Sequence, residues 1–290
     1  MRITRTKLLA LLIVLQSVVS GINAGVANGN PNLSLIRKYE KEKVGFALLN
    51  NQDESLMYSE VTHISINKHI ARVIWERNDG EWQYYDNASY AQFSPRGDYL
   101  SFYREQQLYV YTSSGTLLWR IPIKTEMYDY AWSYDSRSIF ISENKLREHI
   151  LYRFDVVLGE KKEILKSEVF FYPVTVLNNN VLYLLRNKTP EDPMWECDIV
   201  RLNLESGEIT PLKLPIGDYT LYFSFSISPD ETKVILPPDP IEQMYVLDLV
   251  ENRVIDTFDL EQEPCFYSWR LDGSYVIVTM RHIYKYVFGK

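Results

Sequence analysis

The sequence predicts an all-β protein: a single six-bladed β-propeller of four-stranded antiparallel blades, with the ring closed by an N-terminal strand. Three observations predict it. A polar turn followed by a β-branched or aromatic strand recurs with a period near forty residues. Each recurrence is followed by a second pair of short strands joined by a hairpin turn. The last unit is one strand short, and a segment upstream of the first unit can supply it. Blade counts of five or seven are the neighbouring alternatives. A β-sandwich is the competing architecture, and the regular four-strand period argues against it.

The clearest copies are Phe93–Phe102, Trp132–Ile141, Ile227–Leu236 and Trp269–Val278. Each sets a bulky apolar residue before a polar turn and a strand after it. Val176–Tyr183 and Leu48–Tyr58 are degenerate copies. The first strand residues after the turns are Leu56, Tyr99, Ser138, Val181, Lys233 and Tyr275, separated by 43, 39, 43, 52 and 42 residues.

Hairpins follow in each unit: Leu108–Tyr111 turns at Ser113-Ser114-Gly115, Leu151–Phe154 near Gly159, Ile199–Leu202 at Ser206-Gly207, and Tyr245–Leu247 at Glu251-Asn252. In the first unit the corresponding hairpin is read as His63–Ile66 turning at Asn67-Lys68 into Ala71–Ile74. The sixth unit ends at His282–Lys290 with no fourth strand. An open strand edge is a liability, and Leu33–Tyr39 is the segment available to cover it.

These units resemble the aromatic-Ser-Pro-Asp-Gly-x-x-Ile-x-Phe repeat of TolB-type β-propellers and of the propeller domains of prolyl-oligopeptidase relatives. The Ser-Pro pair survives at Ser94-Pro95 and Ser228-Pro229, the acid at Asp135, Asp230 and Asp272, and the glycine at Gly97 and Gly273. Asn178-Asn179-Asn180 departs from the pattern. The resemblance implies a propeller alone. The length leaves no room for the separate N-terminal domain of TolB or for the hydrolase domain of the peptidases, and no Gly-x-Ser-x-Gly elbow occurs.

Domain organisation follows: 1–24 a signal peptide, 25–32 a linker, 33–290 the propeller. Arg2, Arg5 and Lys7 precede the apolar run 8–15, and small residues lead to Ala24. That is the pattern of a secretory signal, with an apolar core too short for a comfortable membrane span. Export to the periplasm or the extracellular space is the expectation, with membrane contact only through this segment if it stays uncleaved. The chain carries 31 basic and 38 acidic side chains, and removing the three basic residues of the signal takes the net charge from −7 to −10. Nucleic acid is therefore a poor partner. Cys197 and Cys265 make no disulfide scaffold and read as partly buried thiols.

No chemistry-bearing motif stands out. His63, His69, His149 and His282 show no metal-ligand spacing, and Glu191–Asp198 lacks the spaced oxygens and glycine of a calcium loop. Catalytic residues, metal ligands and cofactors are therefore expected to be none. The mouth of the ring is the expected binding face, formed by the link into each blade and the turn between its second and third strands. On this register the face presents Trp82, Tyr84 and Tyr85 from 77–85, Arg104 from 104–107, Tyr128 and Tyr130 from 126–130, Trp195 from 187–196, and Tyr219 from 217–219. Tyr, Trp and Arg are the residue types most enriched at binding hot spots. The expectation is an exported non-enzymatic module that binds a protein or peptide. The alternative is a small propeller enzyme or carbohydrate-binding protein acting on a saccharide at the central funnel.

Overall fold

In the computed structural model the described residues are 33–38, 44–49, 56–65, 68–77, 80–123, 127–145, 148–178, 180–191, 197–214, 225–236, 243–259, 264–269, 273–279 and 282–288. They contain no helix and six four-stranded antiparallel sheets.

After β1 (Leu33–Lys38), sheet one comprises β2 (Val44–Leu49), β3 (Leu56–Ser65), β4 (Lys68–Glu76) and β5 (Trp82–Asp86). Sheet two comprises β6 (Ser89–Phe93), β7 (Tyr99–Arg104), β8 (Gln107–Thr112) and β9 (Leu117–Pro122). Sheet three holds β10 (Met127–Trp132), β11 (Ser138–Lys145), β12 (Glu148–Asp155) and β13 (Glu160–Ser167). Sheet four holds β14 (Phe171–Asn178), β15 (Val181–Asn187), β16 (Cys197–Asn203) and β17 (Ile209–Pro211). Sheet five holds β18 (Ser226–Ile227), β19 (Lys233–Leu236), β20 (Gln243–Asp248) and β21 (Arg253–Asp259). Sheet six is β22 (Pro264–Trp269), β23 (Tyr275–Thr279), β24 (His282–Tyr286) and, from the other end of the chain, β1 (Leu33–Lys38). β1 runs antiparallel to β24 from Leu33↔Tyr286 to Lys38↔His282, so the N-terminal strand completes the C-terminal sheet.

The first strands pack against one another around a ring: β2 against β6 and β22, β10 against β14, and β14 and β22 against β18. β6 and β10 are joined by Gln92 Nε2, which donates to the Tyr130 carbonyl at 3.1 Å, and by the Tyr130 hydroxyl, which donates to the Tyr90 carbonyl.

The core lies between sheets. Successive side chains of a strand point to opposite faces, and both faces of these sheets are covered. On β15, Val181, Tyr183 and Leu185 pack toward sheet five, while Leu182 and Leu184 pack toward sheet three. Second strands therefore read as unbroken apolar runs, whereas the outer strand β13 is mostly exposed. Five apolar clusters fill the seams from sheets one–two to five–six. In the first seam Phe102, fully buried, lies 4.4 Å from the Tyr85 ring and 5.6 Å from that of Tyr109.

The repeat motif is a turn built by one serine. In Ser94, Ser133 and Ser228 the backbone N–H donates to the residue five on, and Oγ accepts that residue's N–H. Ser133 and Ser228 also donate Oγ–H to Asp135 at 2.7 Å and Asp230 at 2.6 Å. The fourth turn position is left-handed in every clear copy: Gly97, Ser136, Glu231 and Gly273, with φ from 59° to 76°. Glycine suits that conformation. Where it is missing, the side chain staples a neighbouring sheet: Ser136 Oγ accepts from Arg96 N–H at 3.0 Å, and Glu231 Oε2 accepts from the Tyr183 hydroxyl at 3.1 Å.

The first unit departs from the sequence reading by one strand. β3 is a single ten-residue strand, so Lys68 opens the third strand, which runs to Glu76, and the fourth begins at Trp82. The sequence carries no turn signal within Leu56–Ser65 to mark that strand's true length.

Two outcomes follow. Phe102→Ala removes a ring that touches three aromatic neighbours and is expected to cost about 3–5 kcal/mol in urea unfolding. Ser228→Ala removes both turn bonds and is expected to cost about 1–3 kcal/mol. Burial opposes the ionisation of Asp230, but hydrogen bonds from Ser228 and Thr232 outweigh it and hold the carboxyl below its ordinary range. The stability this gives is present above the ordinary aspartate pKa and is lost as pH falls through the folded value. The acid limb of the stability curve is therefore expected to flatten in Ser228→Ala.

Candidate functional site

In each sheet the second strand ends, and the first and third strands begin, at one end of the ring, the mouth. The first and third strands end, and the second and fourth begin, at the far end. This assignment sorts the sequence-predicted residues.

Arg104 ends β7 at the mouth, where its guanidinium contacts Glu105 at 3.2 Å. Glu105 and Gln106 both adopt left-handed backbone, with φ of 51° and 60°. Trp82, Tyr84 and Tyr85 are not in an entering link. They lie on β5, the outer strand of sheet one, and Trp82 starts that strand at the far end. Tyr84 is half-exposed, with the Arg72 guanidinium over its ring at 5.7 Å. Tyr85 is buried in the first seam, and burial raises its hydroxyl pKa. Tyr128 and Tyr130 belong to β10 itself, not to a loop before it. Tyr130 is buried, its hydroxyl joined to Tyr90 and Ser101. The side chain of Tyr128, and all of Trp195 and Tyr219, lie outside the described residues. So do 1–32, the proposed signal and linker.

Two mouth-end residues escaped the sequence reading. Tyr90, near the start of β6, is 60% exposed and has φ of 51°. It sits where the pairing of β6 with β7 shifts register between Ser89 and Gln92. A bulky residue is costly in left-handed backbone, and this one directs a large ring outward on an inner strand. The Ala88-Ser89-Tyr90 segment carries no glycine or asparagine at the strained position, so the bulge had no local signal.

The second is Asp129 on β10. Burial pushes its carboxyl up to about 7. Its backbone N–H donates to Ser142 Oγ at 3.2 Å, and Ser142 Oγ donates back to its carbonyl at 3.3 Å. The chain of polar groups continues outward: Asn144 Nδ2 donates to Ser142 Oγ at 3.4 Å, and Asn144 Oδ1 lies 3.0 Å from His149 Nδ1. His149 is buried, edge-on to Phe170 and Phe171, and burial lowers its pKa. Asp129 shares its face of β10 with Ala131, which belongs to the seam between sheets three and four. The mouth end of that seam thus combines a carboxyl, a serine, an asparagine, a neutral histidine and two phenylalanines. Close by in sheet four, the buried Cys197 thiol donates to Asn187 Oδ1 at 3.1 Å. Among the described residues no group of three His, Cys, Asp or Glu side chains could hold a metal ion.

With this geometry in view, the comparisons with known proteins concern the fold. Among solved structures the chain is similar to TolB from Acinetobacter baumannii, with TM-score 0.51, 12% identity, and cover of 81% of this chain and 64% of that one. It is similar to the β-propeller domain of the Trilobed protease from Pyrococcus furiosus, with TM-score 0.53, 15% identity and 84% cover of each chain. It is also similar to an acylaminoacyl peptidase from Pyrococcus horikoshii, with TM-score 0.57, 16% identity, and cover of 84% of this chain and 46% of that one.

The fold is a TolB-like β-propeller. The chain thus spans less than two thirds of the TolB chain and under half of the peptidase. No protein-family model matches the sequence, and no curated protein matches it. The Trilobed protease domain is described as having an open velcro topology; here β1 lies on β24.

The raised Asp129 pKa has a direct consequence for stability. The unfolded carboxyl ionises near 4 and the folded one near 7, so the folded state loses stability as pH rises between them. The penalty is full above about pH 7 and amounts to at most about 4 kcal/mol. Asp129→Asn removes it. The variant is expected to match the parent in urea midpoint at about pH 4 and to exceed it at about pH 8; parallel curves would contradict the burial of this carboxyl.

Proposed function

We propose that this chain is an exported, non-enzymatic β-propeller that binds a protein or peptide at the mouth of its ring. The observation that carries the reading is Tyr90: a largely exposed aromatic ring held in strained backbone on an inner strand at the mouth. Arg104 and Glu105, on the next turn outward in the same sheet, add an anchoring cation and anion. Exposed aromatics with polar tips on a rigid scaffold suit protein recognition. Export rests on the basic and apolar pattern of 1–24, and the TolB-like fold is consistent with it.

One observation favours the second reading, a saccharide-acting enzyme: Asp129 holds its proton near neutral pH. Glycoside hydrolysis needs a second carboxyl within roughly 5–10 Å. Burial is the cause of the Asp129 shift, and among the described residues no carboxylate contributes to it; the binding reading rests on Tyr90.

The test is affinity capture of the tagged protein, exported in its own host, from envelope and culture fluid, with two variants alongside. Tyr90→Gly removes the ring at a φ that glycine tolerates. Trp82→Ala alters the far end. A protein recovered by the parent and Trp82→Ala but lost with Tyr90→Gly supports the reading. Recovery unaffected by Tyr90→Gly, or of nothing, overturns it.

A further inference from the structure

The seam between sheets three and four ends at the mouth in a carboxyl that no described residue neutralises. Asp129 has its backbone tied on both sides to Ser142, but among the described residues its carboxyl oxygens take part in no hydrogen bond or ion pair. The other acids nearby are paired: Glu143 with Lys161, Glu148 with Lys166 at 2.8 Å, and Asp198 with Lys188 at 3.5 Å. The residue is not sealed from solvent; it is of intermediate exposure, on a first strand, near that strand's mouth end. A carboxyl withdrawn from water without a partner is a poorly compensated group, and a compact cation that reaches it restores the lost solvation.

We propose that Asp129 is the anchor of a binding site for one primary ammonium group of a peptide ligand. The proposal rests on the peptide-binding reading above and names the chemistry that the mouth selects. Three features beyond the carboxyl fit an ammonium. Ser142 Oγ and the Asn144–His149 pair place polar groups beside the carboxyl on the same face of sheet three. The Phe170 and Phe171 rings border the same end of the seam through their contacts with His149, and aromatic faces attract cations. The acidic chain as a whole attracts positive ligands.

The titratable groups facing Asp129 from the packed elements are few. Burial lowers the pKa of His149 on β12. On β15, Arg186 shares the face of Leu182 and Leu184, which pack in this seam; its Nε is buried without a partner. The raised pKa of Asp129 has burial as its cause. Docking of an ammonium favours the ionised carboxylate, so binding strengthens as pH rises through the free-state value and releases a proton.

Calorimetry on the full chain tests this with three tripeptide amides: acetyl-Ala-Lys-Ala, acetyl-Ala-norleucine-Ala, and Ala-norleucine-Ala with a free amino terminus. At about pH 8 the lysine or the free-terminus peptide is expected to bind about tenfold or more tightly than the capped norleucine peptide. Which of the two does so identifies the source of the ammonium. That preference is expected to fall to about twofold or less at about pH 5.5 and in Asp129→Asn at either pH. Equal binding of all three peptides overturns the ammonium site and leaves peptide binding standing. Preference retained in Asp129→Asn overturns the assignment to Asp129. Binding of none overturns the site, and the capture experiment decides the broader reading separately.

Discussion

A sheet that is apolar on both faces needs a neighbour on each side, and the rest of this structure depends on that constraint. Leu182 and Leu184 require sheet three, while Tyr183 and Leu185 require sheet five. The demand passes from sheet to sheet, and a ring is the arrangement that leaves no face uncovered. Closing it also solves the edge problem of the last sheet. β24 would otherwise present unpaired backbone groups, and β1 covers them by antiparallel pairing. The two ends of the described chain are thereby held in one sheet, 33–38 beside 282–286.

Rigidity at the far end comes from a small set of local devices used repeatedly. A serine closes the first turn in three sheets. An Asx side chain closes the third–fourth turn in three sheets: Asp155, Asn203 and Asp248 each accept two backbone N–H groups through one oxygen. Trp119 adds a contact between sheets, donating Nε1–H to the Val156 carbonyl at 2.7 Å. Its ring also explains Gly159, where an added Cβ would come within 2.4 Å of it. Departures from the repeat are functional in the same structural sense. Ser136 and Glu231 accept backbone strain and in return link adjacent sheets.

The mouth contrasts with this. There Tyr90, Glu105 and Gln106 hold left-handed backbone, and among the described residues the carboxyl of Asp129 has no partner cation. Strain and poorly compensated polarity cluster at binding sites in proteins generally, where the surrounding scaffold can sustain them. Their presence at the mouth is the physical basis of the binding proposal.

Much of the fold was legible in the sequence because it is written locally. A serine turn, a two-face apolar strand and a hairpin with glycine or asparagine each leave a mark within ten residues, and their recurrence marks the repeat. The missing strand of the last unit and the spare strand Leu33–Lys38 pointed to closure in the same way. The candidate site was legible only in part. The turn after Arg104 is marked locally, and the structure puts Arg104 at the mouth end of β7. Trp82, Tyr84 and Tyr85 lie one strand away from where the sequence places them, because β3 runs long without a turn signal. Tyr85 and Tyr130 look like binding aromatics in sequence and are seam residues in space. Tyr90 and Asp129 became visible only in the tertiary structure. Exposure, left-handed strain at a bulge and the withdrawal of a carboxyl from water depend on what the neighbouring sheet places against them. Composition and periodicity determined the sheets and their order; the packing of one sheet on the next decided which polar groups were left without partners.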